Sequence, residues 1–216
     1  VSFCLITPTR GDRHIFKDQY WNIIKSQTKQ PDEVIVVDYK PKSKDKDLTQ
    51  RYKYGIEKAT ENGHEYALLW EDDDWYHPKY IEWITNAWKE ESKPDVFGAY
   101  ETYYYNIFTK SSFHMRHPGR ASAFCSLLKL PYNLTYPKDN DPWFDLHIFR
   151  SKNNQTKGGL YFPTNEVLAI GIKHGIGLSG GSGHNTKHPQ MTKQGSFEWF
   201  NKHCLDKDFY NSLRNT

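Results

Sequence analysis

The sequence predicts a single α/β domain, a mainly parallel sheet flanked by helices, with an antiparallel extension in its second half. Three observations predict it. Short apolar runs alternate with amphipathic helical stretches over residues 1 to 90. From residue 95 strand-like runs follow one another with no clear helix between them. The length, 216 residues, suits one domain able to bury a sizeable core.

The opening "VSFCLITPTRGDR" is an apolar run closed by Thr, Pro and Gly, which reads as a buried strand feeding a loop. "HIFKDQYWNIIKSQTKQ" places Phe16, Tyr20, Ile23, Ile24 and Gln27 at helical spacing before Pro31 stops it. "DEVIVVDYK" is β-branched and too short for a helix, so strand, helix and strand predict parallel neighbours. "KPKSKDKD" is a solvated, charge-rich loop, and "LTQRYKYGIEKATENG" is a helix ending at Gly63. "EYALLW" is a further buried strand. Pro78 then opens a helix whose apolar face is Ile81, Ile84, Ala87 and Trp88.

The runs "DVFGAYETYYYNIF", "SSFHMRH" and "ASAFCSLLKL" predict antiparallel strands against one edge of the sheet, followed by a helix around "DPWFDLHIFRSK". "GGLYFPTNEVLAIGIKHG" predicts one more strand, "IGLSGGSGHN" a Gly- and Ser-rich loop, and "SFEWFNKHCLDKDFYNSL" a closing helix. No internal repeat or linker interrupts the chain.

The net charge of +3 tolerates an anionic ligand but is not by itself a nucleic-acid footprint. Tyr (15), Phe (12) and Trp (7) are abundant enough to serve both core and binding surface. Cys4, Cys125 and Cys204 are odd in number and far apart, which predicts reduced thiols and a cytoplasmic protein. No run reaches the roughly 18 apolar residues of a membrane span, and no charged-then-apolar leader opens the chain. The start at Val1 inside a strand-like run is consistent with a missing short leader or initiator methionine. The sequons at Asn133 and Asn154 matter only in a secreted protein.

The most informative stretch is "ALLWEDDDWYHP", with Glu71, Asp72, Asp73 and Asp74 in a row behind an apolar strand. In a parallel α/β sheet, ligands gather at the carboxyl ends of strands, where loops 7–13, 38–47 and 71–77 all lie. Alternation along an extended backbone points Asp72 and Asp74 one way and Glu71 and Asp73 the other. Carboxylates this crowded raise one another's pKa unless a cation compensates them. Hard oxygens suit Mg²⁺ or Mn²⁺, which takes further ligands from water and substrate phosphates. An acidic first turn for the following helix is the simpler alternative, though it needs only one or two acids. Trp70, Trp75 and Tyr76 flank the acids and fit packing as well as stacking.

"VSFCLITPTRGDR", "SQTKQPDEVIVVD", "RYKYGIEKA" and "LLWEDDDWYHPKYIE" stand in the order and spacing of a GT-A (Rossmann-like) glycosyltransferase. They resemble family 2 and its small stand-alone relatives, and the likeness covers residues 1 to 90 best. It implies a nucleotide-sugar-binding half, 1–94, and an acceptor-binding half, 95–216. It also implies a sugar donor carried on a nucleotide diphosphate, UDP by default, with Mn²⁺ or Mg²⁺ held at the DxD-type motif. Carried over by position, Asp73 and Asp74 take the metal, Asp72 joins them or reaches the ribose, and His174 in "GIKHG" completes the site, with His184 as alternative. Thr7, Pro8, Thr9, Arg10, Asp38 and Arg51 fall at donor-binding positions. One departure is that Asp38 is followed by Tyr39, Lys40 and Pro41 instead of the family's second acid and glycine.

For an inverting reaction the likeness implies a carboxylate base at the start of a helix beyond the antiparallel strands. "KDNDPWFDLHIF" has that placement, with Asp141 first, Asp145 second and Asp139 third. Asp141 also fits an N-cap, being followed by Pro142 and helical spacing. The glycine-rich "GIGLSGGSGH" fits either a lid over the donor phosphates or a plain surface loop. The hydroxyl acceptor is a glycan, a protein, a small molecule or a modified nucleic-acid base. The last is kept because such small relatives include phage enzymes that glycosylate hydroxymethylated bases, and "KPKSKDKD" and "HMRHPGR" could meet phosphates. A nucleotidyltransferase lacks its usual Gly-rich loop in "TPTRGDR". A non-catalytic nucleotide-sugar-binding module is the third class.

Overall fold

The computed structural model describes residues 1–39, 46–116, 121–132, 135–150, 158–161, 166–176 and 191–215. Asn133, Asn154, His184 and parts of "KPKSKDKD", "HMRHPGR" and the glycine-rich loop lie outside the described residues.

Strands β1 (Phe3–Pro8), β2 (Glu33–Val37) and β3 (Tyr66–Leu69) pair in parallel, with β1 in the middle. Helix α1 (Lys17–Lys25), reached through a 3₁₀ turn at Gly11–Phe16, and helix α2 (Leu48–Glu61) make the crossovers. All six residues of β1 are buried, and their alternation explains why. Phe3 and Leu5 enter one core with α1 and helix α3 (Tyr80–Glu90). Cys4 and Ile6 enter a second with Tyr52, Ile56 and Ala59 of α2. Gly63, at φ +80, closes α2 as its sequence predicts.

The second half departs from the expected edge extension. "DVFGAYETYYYNIF" splits at Tyr100 into β5 (Val96–Ala99) and β6 (Glu101–Asn106), which belong to different sheets. Strand β8 (Ser126–Lys129) is inserted inside the first sheet, antiparallel to both β3 and β5, giving the order β2-β1-β3-β8-β5-β9 with β9 at Gly158–Tyr161. Gly98 permits this approach, since a Cβ there would meet Ala121 Cβ and the Cys125 carbonyl at 2.5 Å. The other strands form a second sheet, β11-β7-β6-β10-β4. It is built from Met191–Gly195 (β11), Ser111–Arg116 (β7), β6, Ala169–Lys173 (β10) and Trp75–Tyr76 (β4).

Three smaller expectations also change. α3 begins at Tyr80, two residues beyond Pro78, with Lys79 at its N-cap. The single strand expected between Gly158 and Gly175 is two, β9 and β10, one in each sheet. The closing helix is two, α5 (Phe197–His203) and α6 (Lys207–Ser212), broken where the buried Cys204 takes an extended conformation. Helix α4 (Phe144–Arg150) stands where "DPWFDLHIFRSK" places it. Cys4, Cys125 and Cys204 are buried free thiols. Among the described residues no helix is long and apolar enough to cross a membrane.

Candidate active site

The loops after β1, β2 and β3 meet around Arg51, a fully buried arginine of α2. Its guanidinium has five N–H donors and all five are engaged. Nη1 donates to the carbonyls of Thr9 (2.7 Å) and Val37 (3.0 Å), and Nη2 to those of Tyr39 (2.9 Å) and to Asp47 Oδ2 (2.9 Å). Nε completes the set on Asp47 Oδ2 at 3.0 Å. The Tyr39 ring lies 4.2 Å from the guanidinium carbon. Arg51 therefore shapes the walls of the site by fixing backbone carbonyls.

β3 ends at Leu69, and Asp72–Asp74 form a turn, so strict alternation does not govern the acids. The turn brings one carboxylate oxygen each from Glu71, Asp73 and Asp74 within 4.8 Å of one another, which corrects the expectation that alternation points Asp74 away from Glu71 and Asp73. Asp72 turns instead toward β1. Its Oδ2 accepts from Thr9 Oγ1, and its Oδ1 lies 2.7 Å from Arg13 Nη2. Asp73 Oδ2 contacts the same Arg13 Nη2 and lies 2.7 Å from His174 Nε2. His174 Nδ1 accepts the Ile176 N–H at 3.1 Å, so in the neutral ring Nε2 carries the proton and donates to Asp73. Asp74 Oδ1 accepts the Ile172 N–H at 2.8 Å.

Burial pushes Glu71 up to about 7 and Asp72 up to about 6, with the Asp73 charge adding to both. Burial, then Asp73 and Glu71, hold Asp74 well above the carboxylate range. Asp73 behaves in the opposite way. Burial opposes its ionisation, yet Arg13 and His174 outweigh it and hold the carboxyl far below its ordinary value. One ionised carboxylate thus sits among three that resist ionising.

A pocket opens beside this turn, with Arg10, Arg13, Lys46 and Lys173 on its walls and Glu71 and Asp73 at its acidic side. Of the residues singled out in the sequence, Pro8, Thr9, Arg10, Arg51 and Asp73 line it directly. Thr7 lies fully buried, with its Oγ1 accepting from Tyr20 Oη at 2.7 Å. Asp38 is exposed and does not line the pocket. Asp145 is buried at the start of α4. Asp141 borders the pocket through its neighbour Pro142. Asp141 Oδ1 accepts the Trp143 N–H at 2.8 Å, its Oδ2 lies 2.8 Å from His147 Nε2, and its carbonyl accepts from Thr49 Oγ1 at 2.5 Å. Asp139 lies 4.0 Å from Lys53 Nζ. Trp70, Trp75 and Tyr76 are buried, with Trp70 stacked on Tyr76 at 3.8 Å, so they pack.

Sequence reasoning missed Arg13 and Lys173, and it named Glu71 in the acidic run without giving it to the metal. For Arg13 the signal was present in "TPTRGDR", a second arginine three residues after Arg10 in the loop facing four carboxylates. Lys173 had none beyond its place at the carboxyl end of β10. The donor set of Glu71, Asp73 and Asp74 consists of hard oxygens, and Asp73 Oδ1 is buried without a hydrogen-bond partner. Both features fit a divalent cation.

Two sheets flanked by helices, with these loops at the strand ends, make a glycosyltransferase-type α/β fold. No family model matches the chain, and no curated protein matches it. Among solved structures, S. aureus TarS 1–349 in complex with UDP-GlcNAc superposes with a TM-score of 0.54 at 12% identity, covering 80% of this chain and 59% of that one. A second S. aureus TarS structure gives 0.52 at 12% identity, covering 79% and 36%. The chain thus spans less than two thirds of either TarS chain, and at this identity the likeness shows the fold alone.

Proposed function

We propose that this chain is a metal-dependent glycosyltransferase, family 2-like, that moves a sugar from a nucleotide-diphosphate sugar to a hydroxyl acceptor with inversion. The observation that carries the reading is the convergence of Glu71, Asp73 and Asp74, the first two of them on the wall of a pocket that also bears Arg10, Arg13, Lys46, Arg51 and Lys173. Glu71, Asp73 and Asp74 would hold Mn²⁺ or Mg²⁺, which when bound supplies positive charge to the departing diphosphate. Arg10, Lys46 and Lys173 offer charge to the remaining phosphate oxygens. Thr9, held by Asp72, and the carbonyls fixed by Arg51 shape the nucleoside side. The UDP-GlcNAc held by the TarS structure supports UDP as the donor nucleotide.

On the acceptor side, Asp141 takes the hydroxyl proton as the hydroxyl oxygen attacks the sugar carbon from the face opposite the diphosphate. His147 Nε2 and the Trp143 N–H hold the two oxygens of Asp141 in place for this. Thermal-shift measurements with UDP, UDP-GlcNAc and other nucleotide diphosphates, with and without Mn²⁺, test the reading. Ligand at a hundredfold excess over its dissociation constant adds about 2.7 kcal/mol. A metal-dependent rise in melting temperature with one nucleotide is expected; no such rise with any of them removes the proposal.

A further inference from the structure

We propose that Arg13 is the built-in counter-cation of the acidic turn, that a divalent cation must displace it, and that the displaced guanidinium passes to the diphosphate. The inference rests on the metal site proposed above. Among the described residues, Arg13 makes the ion pairs to the turn and His174 adds a hydrogen bond, both meeting Asp73 Oδ2. Phe16 backs the arrangement, with Arg13 lying 5.6 Å from its ring centre and the His174 ring 4.6 Å away. Arg13 reaches the turn from a 3₁₀ segment whose backbone leaves helical geometry at that residue (φ −110, ψ 22).

Two features say that this contact yields. Arg13 Nη2 and Nε, Asp72 Oδ1 and Asp73 Oδ1 have no hydrogen-bond partner of good geometry, although Nη2 lies 2.7 Å from Asp72 Oδ1. Its ion pairs with the turn both run through Nη2, to Asp72 Oδ1 and Asp73 Oδ2, and Nε takes no part in them. Arg13 also lines the pocket, so a short swing brings its planar fork to a phosphate group.

A dication on Asp73 and a guanidinium on the same carboxylate repel strongly at these separations in a buried setting. Metal alone must therefore break the Arg13 pairs, which weakens its binding. A diphosphate gives Arg13 a new anionic partner and removes that opposition, so metal and diphosphate strengthen each other's binding reciprocally. Arg13 in this role sets how poorly the site takes metal before the donor arrives.

Calorimetric titration of Mn²⁺ alone into wild type, Arg13→Gln and Arg13→Lys reads the effect without any turnover. Arg13→Gln is expected to bind Mn²⁺ at least tenfold tighter than wild type, whereas Arg13→Lys, which keeps the charge, stays close to wild type. Added UDP is expected to improve Mn²⁺ affinity more in wild type than in Arg13→Gln. An Arg13→Gln affinity equal to or weaker than wild type overturns the inference and leaves the metal site standing. Absence of Mn²⁺ binding in wild type and variant alike, with and without UDP, overturns the metal site as well. If Arg13→Gln does not fold, the side-chain Nε–H NMR resonance of Arg13 in wild type decides. Its displacement by Mg²⁺ supports the exchange, and an unmoved resonance under Mg²⁺ saturation overturns it.

Discussion

Tyr210 Oη donates a hydrogen bond of 3.0 Å to the main-chain carbonyl of Asp74, 136 residues earlier in the chain. A second tie runs the other way, from Trp75 Nε1 to Asp206 Oδ2 at 2.9 Å. The closing helix α6 thus grips the acidic turn from behind, and both Tyr210 and Asp74 are buried. Tyr210→Phe keeps the packing and leaves one buried carbonyl unpaired. The expected loss is about 1–2 kcal/mol in urea unfolding. Mn²⁺ affinity in the presence of UDP should fall with it, because the turn is held less firmly. An unchanged unfolding midpoint would show that the tie does not hold the turn.

Arg51 offers a sharper stability prediction. Its guanidinium joins the ends of β1 and β2 through the carbonyls of Thr9, Val37 and Tyr39, and a lysine cannot span them. Arg51→Lys is expected to destabilise the protein by about 3 kcal/mol, the scale of a broken buried ion-pair network. The nucleotide-induced thermal shift should shrink in the same variant, since the pocket wall moves with those carbonyls.

How much of this was legible beforehand differs between the two halves of the chain. β1, β2, α2 and β3 follow from local pattern, because a strand buried on both faces must read as a continuous apolar run. The acidic turn was visible for the same reason, as charge placed directly after such a run. What failed was decided by contacts distant in sequence. The break at Tyr100 and the insertion of β8 between β3 and β5 depend on Gly98 meeting Ala121 and Cys125, which no local periodicity announces. Alternating faces for the acids require the strand to continue through them, whereas it ends at Leu69. Arg13 compensates Asp72 and Asp73 from a loop about sixty residues earlier, a pairing that the acidic run itself does not announce.

The end of the molecule opposite the pocket supplies a pH-dependent prediction. Glu33 accepts from both Asn62 Nδ2 (2.9 Å) and His64 Nε2 (2.6 Å), while His64 Nδ1 lies 2.7 Å from Ser2 Oγ. The Asn62 and His64 hydrogen bonds lower the Glu33 pKa below its ordinary 4.5. A carboxylate depressed in the folded state stabilises above its unfolded pKa, and that contribution is lost as pH falls through the folded value. Wild type is therefore expected to melt higher than Glu33→Gln at pH 7. The gap should close as pH drops below about 4.5. Because the Glu33 side chain is partly exposed, the difference is small and should shrink in high salt. A gap that persists at pH 3 would assign the effect to packing.

Asp141 carries two roles that one substitution separates. Oδ1 accepts the Trp143 N–H in the turn that leads into α4, and Oδ2 meets His147 Nε2. Asparagine retains an oxygen for the Trp143 bond, so the capping role survives in Asp141→Asn. It has no useful basicity, so it cannot take a proton from an acceptor hydroxyl. If Asp141 is the base, Asp141→Asn should keep its melting temperature and its Mn²⁺-dependent UDP binding while transfer falls by about 10²–10⁴-fold, the usual yield of a positioned base. If the residue only caps, transfer persists in Asp141→Asn, and Asp141→Ala lowers stability by about 1 kcal/mol instead. His147→Gln serves as the companion measurement. Loss of the partner on Oδ2 should lower transfer and shift its pH profile, whereas a purely structural histidine would leave that profile in place.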